Sequence, residues 1–75
     1  MNLVLGQWIR YHTTSIRGPG ETTHIGKITR ISLLDGKQHI FRAGYAEVHR
    51  WDVISTLEID EDKRMILRET EYHAE

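Results

Sequence analysis

The segment that decides the fold reads GKITRISLLDGK and covers residues 26–37. Its β-branched residues favour a strand, and its threonine and glycine disfavour an exposed helix. Ile28 breaks the alternation set by Ile25, Ile31 and Leu33, which predicts one long bent strand with a β-bulge between residues 26 and 30. Asp35-Gly36 follows directly and is a strong hairpin signal, because both central residues of a type I′ turn need a positive φ.

Strand-like runs also lie on both sides of this segment. They cover residues 7–14, 37–43, 45–51, 52–60 and 64–68, with a further turn signal at residues 60–63 and a loop signal at Gly18-Pro19-Gly20. The pattern predicts a single all-β domain over residues 1–75, a five- or six-stranded barrel with a polar, frayed tail at residues 69–75. The alternative is an α+β domain with a short helix at about residues 46–57, since Val48, Trp51, Ile54 and Leu57 also fall at helical spacing.

The order of these elements resembles the small barrels of the Sm-like and Src-homology-like type. The resemblance rests on the bent strand and tight turn of residues 26–37, and on residues 51–59, which read as a one-turn connector running into a strand. In those barrels an Asp followed by an aliphatic residue often marks the connector, and here Asp52 and Val53 fill that place. The resemblance implies a domain that binds nucleic acid, peptides or its own copies and seldom catalyses; it assigns no functional residue.

The charges of the chain are divided unevenly along its length. The 75 residues carry a net charge of -1, which by itself gives no indication of an electrostatic partner. Residues 1–50, however, hold seven basic and three acidic residues, a net +4, whereas residues 51–75 hold three basic and eight acidic residues, a net -5. The two halves either neutralise each other through cross-strand ion pairs or present separate surfaces. Mutual neutralisation is the simpler reading, because a dedicated nucleic-acid-binding domain is usually clearly basic.

No residue pattern indicates catalysis, a metal or a cofactor. The chain has no cysteine, which excludes disulfides, thiol nucleophiles and thiolate zinc sites. Its five histidines form no His-x-His or His-x-x-x-His pair, although His12 and His24 flank the glycine-proline loop. No serine lies in a Gly-x-Ser-x-Gly elbow, and no Gly-rich phosphate loop occurs. We therefore expect a non-enzymatic protein without a metal or cofactor.

The first functional hypothesis is a binding module or regulator that engages nucleic acid or a nucleoprotein through a basic face of its N-terminal two-thirds. Cations would contact phosphates and an exposed aromatic ring would stack on a base, with Trp8, Tyr11, Phe41, Tyr45 and Trp51 as the available rings. The candidate binding residues are Trp8, Arg10, Tyr11, Arg17, Lys27, Arg30 and Arg42.

The alternative is a protein-protein interaction module or inhibitor. It would use an exposed aromatic patch, the Gly18-Pro19-Gly20 loop or the acidic C-terminal segment. A core of this size gives little net stability, which makes association into a homo-oligomer a reasonable expectation. No secretory signal or membrane-spanning run is recognisable in the sequence, so a cytoplasmic location without membrane contact is expected.

Overall fold

The structure is a computed structural model that describes residues 2–13 and 22–74. Its six strands are β1 (Trp8–Thr13), β2 (Thr22–Leu34), β3 (Lys37–Ala43), β4 (Ala46–His49), β5 (Val53–Asp60) and β6 (Met65–Glu71). One 3-10 turn, Arg50–Asp52, joins β4 to β5. The prediction of an all-β fold is confirmed, and the described residues contain no α-helix at residues 46–57 or elsewhere.

All neighbouring strands pair antiparallel in one sheet of order β4-β3-β2-β1-β5-β6. β2 is long enough to pair with β1 through its first half and with β3 through its second half. The predicted bulge appears where the register shifts between Ile28 and Arg30. The Asp35-Gly36 turn has φ values of 52° and 77°, which confirms the predicted positive-φ hairpin.

The last hairpin also forms where the sequence predicts it. Asp60 ends β5, and its Oδ1 accepts hydrogen bonds from the backbone N–H groups of Asp62 and Lys63. Such a bond from an Asp side chain to the backbone two residues later stabilises a turn. β6 then runs antiparallel to β5 and brings the acidic C-terminal segment beside β5, two strands from β1.

The core lies on the inner face of the curled sheet. Alternation places Ile9, Phe41 and Val48 inward, and all three are almost completely buried. The rest of the core cluster is contributed by the N-terminal segment, the other strands and the residue after β6: Leu3, Tyr11, Ile28, Ala43, Val53 and Tyr72. The Gln38 side chain fixes the N-terminal segment, since it exchanges hydrogen bonds of 2.8 and 2.7 Å with the backbone of Leu3.

Two parts of the sequence-based architecture need correction. The sheet is not closed into a barrel, because β4 and β6 form its two edges and do not pair with each other. The inner face of the β5–β6 hairpin is polar, with Thr56 opposite Thr70 and Glu58 opposite Arg68, so burial of apolar surface does not drive closure there.

The C-terminal segment is also more ordered than the sequence indicates. Residues 69–71 belong to β6 rather than to a frayed tail. Tyr72 is buried in the core, and its backbone N–H donates a hydrogen bond of 3.0 Å to the carbonyl of Ile54. The apolar contact of this buried tyrosine ring anchors the end of β6 to the core.

Candidate nucleic-acid interface

Arg30 and Arg42 lie directly opposite each other on β2 and β3. The bulge before Arg30 sets this register, and Thr29 Oγ1 donates a hydrogen bond of 3.3 Å to the backbone carbonyl of Arg42. Both arginines are exposed, and within the described parts of the chain neither has a carboxylate within 4.0 Å. Two like charges at directly opposed positions repel each other, so an anion bound between them would relieve a repulsion.

The strand alternation fixes which side of the sheet carries this pair. Phe41 and Val48 form a buried cross-strand pair, so the flanking pairs, Arg42 with Glu47 and Ile40 with His49, point to the outer face. A depression of about 200 Å³ lies there between the strands. It is lined by Arg30, Ser32, Ile40, Arg42 and Glu47.

An exposed aromatic cluster adjoins this depression. The Trp51 ring stacks on the His49 ring with 5.1 Å between centroids and 11° between planes. The His39 ring packs edge-on against both, at 5.3 Å from Trp51 and 5.7 Å from His49. Trp51 is nevertheless 58% exposed, and the Arg50 guanidinium lies 5.9 Å from its ring centroid. The histidines therefore orient a tryptophan that remains more than half exposed to solvent.

We call the outer surface of β2, β3 and β4 that carries Arg30, Arg42, His49 and Trp51 the arginine face. On β4, Glu47 lies opposite Arg42, and His49 is the next residue along the strand whose side chain points to the outer face. The ring cluster therefore lies next to the Arg30–Arg42 pair on that face. Cations and an exposed aromatic ring thus share one face of the sheet.

Arg10 lies on a different part of the outer surface and is paired with an acid. Its Nε donates to Glu69 Oε2 at 2.9 Å, and a second guanidinium nitrogen donates to Glu69 Oε1 at 3.3 Å. Hydrogen bonds from Arg10 and Ser55 lower the pKa of Glu69, and the bond to Glu69 raises the pKa of Arg10. This bidentate contact neutralises Arg10 and makes it a poor phosphate ligand.

Lys27 is engaged in a similar way. Its Nζ lies 3.0 Å from Glu61 Oε1 and 5.8 Å from the ring centroid of Trp8, which is half-buried. The lysine therefore has both an anionic partner and an aromatic one. We call the outer surface formed by β1, the first half of β2, β5, β6 and the turn between β5 and β6, which carries Arg10, Lys27, Glu61 and Glu69, the paired face.

The structure separates the six candidates that it describes into three groups. Arg30 and Arg42 come together on the arginine face, whereas Trp8, Arg10 and Lys27 belong to the paired face. Tyr11 is buried in the core and does not present its ring to solvent. Arg17 and the Gly18-Pro19-Gly20 loop lie outside the described residues.

Sequence reasoning did not find His39 and His49 as parts of this interface. Their ten-residue separation fits no metal-ligand spacing, but β3 and β4 bring the two rings together across a tight turn. For His49 the available signal was alternation, since His49 and Glu47 share a strand parity opposite to that of the apolar Val48. Alternation gives no such signal for His39, which shares the parity of Phe41 and lies where the register between β2 and β3 shifts. Among the described residues, no group of three His, Asp or Glu side chains is placed to hold a metal ion.

Comparison with known proteins gives no family assignment. No protein-family model, no curated protein and no solved structure matches this chain. The resemblance to Sm-like and Src-homology-like barrels therefore stays a prediction. Within residues 2–13 and 22–74, no helix has the length and apolar character needed to cross a membrane.

Proposed function

We propose that this chain is a non-enzymatic binding module that engages single-stranded nucleic acid through its arginine face. The proposal rests on two features that occur together on this face. Arg30 and Arg42 have no carboxylate within 4.0 Å among the residues described, and Trp51 is exposed. Arg30 and Arg42 would contact the phosphate backbone. Trp51 would stack on a base.

A single strand suits this face better than a duplex does. Stacking on Trp51 needs a base whose π-face is free, which paired bases in a helix do not offer. Two or three cations also neutralise few phosphates, so the affinity would depend on stacking as much as on charge. This is consistent with a chain whose net charge is only -1.

The acidic Glu47 reduces the positive charge of the arginine face. It lies opposite Arg42 on β4 and lines the depression, yet it forms no ion pair within 4.0 Å with any residue of the ranges 2–13 and 22–74. A carboxylate at this place lowers the local positive potential and would disfavour a second layer of phosphates. The proposed ligand is therefore a short stretch of strand with one base on Trp51.

The test is a fluorescence-anisotropy titration with labelled single- and double-stranded oligonucleotides of the same sequence. We expect preferential binding of the single strand and a loss of about tenfold in affinity for Trp51→Ala, the size of one stacked base. Tyr45→Ala is the matched control, because Tyr45 is a fully exposed aromatic outside the arginine face. The absence of binding at low salt, or an equal loss in both variants, would reject the proposal.

A further inference from the structure

An apolar groove of about 440 Å³ lies on the outer side of the sheet, at the end away from the arginine face. Its walls come from β1, β2 and the β5–β6 hairpin: Trp8, Ile25, Ile59, Met65 and Ile66 are its apolar lining. Glu61 and Arg64, in the turn between β5 and β6, form its charged rim. Met65 and Ile66 are exposed on the edge strand β6.

The sequence of the hairpin explains why this apolar surface lies outside the core. Trp8 is opposite Leu57, and Ile59 is opposite Ile66, so these side chains project to the face opposite the polar Thr56–Thr70 pair. Leu57 is buried there although it does not belong to the core cluster. Among the residues that the structure describes, this second apolar cluster is covered by the sheet on one side only.

The charges on the rim indicate what covers the other side. Glu61 uses Oε1 to accept from Lys27, which leaves Oε2 available, and Arg64 has no carboxylate within 4.0 Å in the described part of the chain. An interface between two identical copies related by a two-fold axis must be self-complementary. A rim with one acid and one base meets this requirement, because each Glu61 can face the Arg64 of the other copy.

We propose that the groove is occupied by the same groove of a second copy, which forms a two-fold symmetric dimer. The apolar linings pack against each other, and the Glu61–Arg64 pairs close the interface at both ends. A partner with charges of one sign would complement only one of the two rim residues. Because the groove and the arginine face share no residue, the dimer would present two nucleic-acid surfaces at once.

The test is sedimentation-velocity ultracentrifugation of the full chain over a concentration series from about 1 μM to about 1 mM, a range that covers weak dimers. We expect a concentration-dependent dimer in the wild type and only monomer in Ile66→Glu. Leu67→Glu is the matched control, because Leu67 follows in the same strand, is 59% exposed and does not line the groove. We expect this control to dimerise like the wild type.

Arg64→Asp tests the proposed interface at its charged rim and leaves the apolar lining of the groove unchanged. Arg64 has a φ of 53°, which aspartate tolerates, and its charge reversal places two carboxylates opposite each other across the proposed interface. The dimer dissociation constant should rise by about tenfold, since like charges in contact oppose association. A wild type that stays monomeric up to about 1 mM, or a dimer that Leu67→Glu disrupts as strongly as Ile66→Glu, would overturn the proposal.

Discussion

The arginine face and the paired face are built from the same kinds of residues but differ in their partners. On the paired face, Arg10 and Lys27 each meet a glutamate at 2.9 and 3.0 Å. On the arginine face, Arg30 and Arg42 face each other instead. The near-zero net charge of the chain is therefore distributed over two different surfaces. The acidic β5–β6 hairpin neutralises the paired face, but among the described residues its carboxylates form no ion pair with the arginine face.

The strand order produces this difference. The acidic residues of β6 and its turn lie at one edge of the sheet, next to β5, whereas β4 forms the other edge and β3 is its neighbour. A glutamate on β6 can reach Arg10, which lies two strands away, but not Arg42, which lies four strands away. With adjacent strands about 4.8 Å apart, four strand spacings exceed the length of any side chain.

The largest expected effect is a loss of stability on substitution of Gly26, which lies where β2 passes from the paired face to the arginine face. A Cβ on residue 26 would lie 2.9 Å from Ala43 Cβ and 3.3 Å from a ring carbon of Tyr11. Both neighbours are core side chains with little freedom to move, so Gly26→Ala should destabilise the fold by about 1–3 kcal/mol. The measurement is urea unfolding followed by tryptophan fluorescence.

The matched control for Gly26→Ala is Gly44→Asn. Gly44 has a φ of 63°, which asparagine tolerates, and nothing lies within 4 Å of a Cβ placed there. We expect its unfolding midpoint to stay close to that of the wild type. Equal midpoints for the Gly26 variant and the wild type would contradict the close packing of β2 against β3 and β1.

A smaller effect is expected when the ion pair of the paired face is removed. The pKa of Glu69 is lowered in the folded state by hydrogen bonds from Arg10 and Ser55. Its stabilising contribution is therefore fully present above the ordinary glutamate pKa of about 4.3 and is lost as the pH falls through the lowered folded value. The wild type should exceed Glu69→Gln in stability near neutral pH, with a difference that shrinks on acidification.

Urea unfolding of the wild type and Glu69→Gln at a series of pH values between about 7 and about 3 measures this difference across the carboxylate titration range. Ser55→Ala removes only one of the donors to Glu69 and should give an intermediate profile. A difference between wild type and Glu69→Gln that is independent of pH would show that the pair does not stabilise the fold. We expect the effect to be small, because the side chains are partly exposed to solvent.

Much of the fold could be predicted because its signals are local. The Asp35-Gly36 turn, the β2 bulge and the hairpin after Asp60 depend on backbone preferences of a few adjacent residues. The open sheet was not predicted, because closure depends on which face of β5 and β6 is apolar. That in turn depends on the register between strands that lie far apart in the sequence.

The candidate site was less predictable for the same reason. Arg10 and Arg30 look alike in the sequence, and only the strand order brings Glu69, 59 residues from Arg10, within reach of the first and not of the second. The stacking residue was likewise ambiguous among the five available rings. Tyr11 is buried by the packing of β1 on the core, whereas Trp51 is left exposed by the short 3-10 turn.

The most direct measurement of the central claim compares the salt dependence of single-strand binding for two double variants. Arg30→Gln/Arg42→Gln removes the arginines of the arginine face, and Arg10→Gln/Lys27→Gln removes the same number of charges from the paired face. We predict that the first lowers the slope of log affinity against log salt by about 1.4, since each phosphate contact contributes about 0.7 for a single strand. The second should leave the slope unchanged. Equal changes of slope in both variants, or no change in either, would contradict the account.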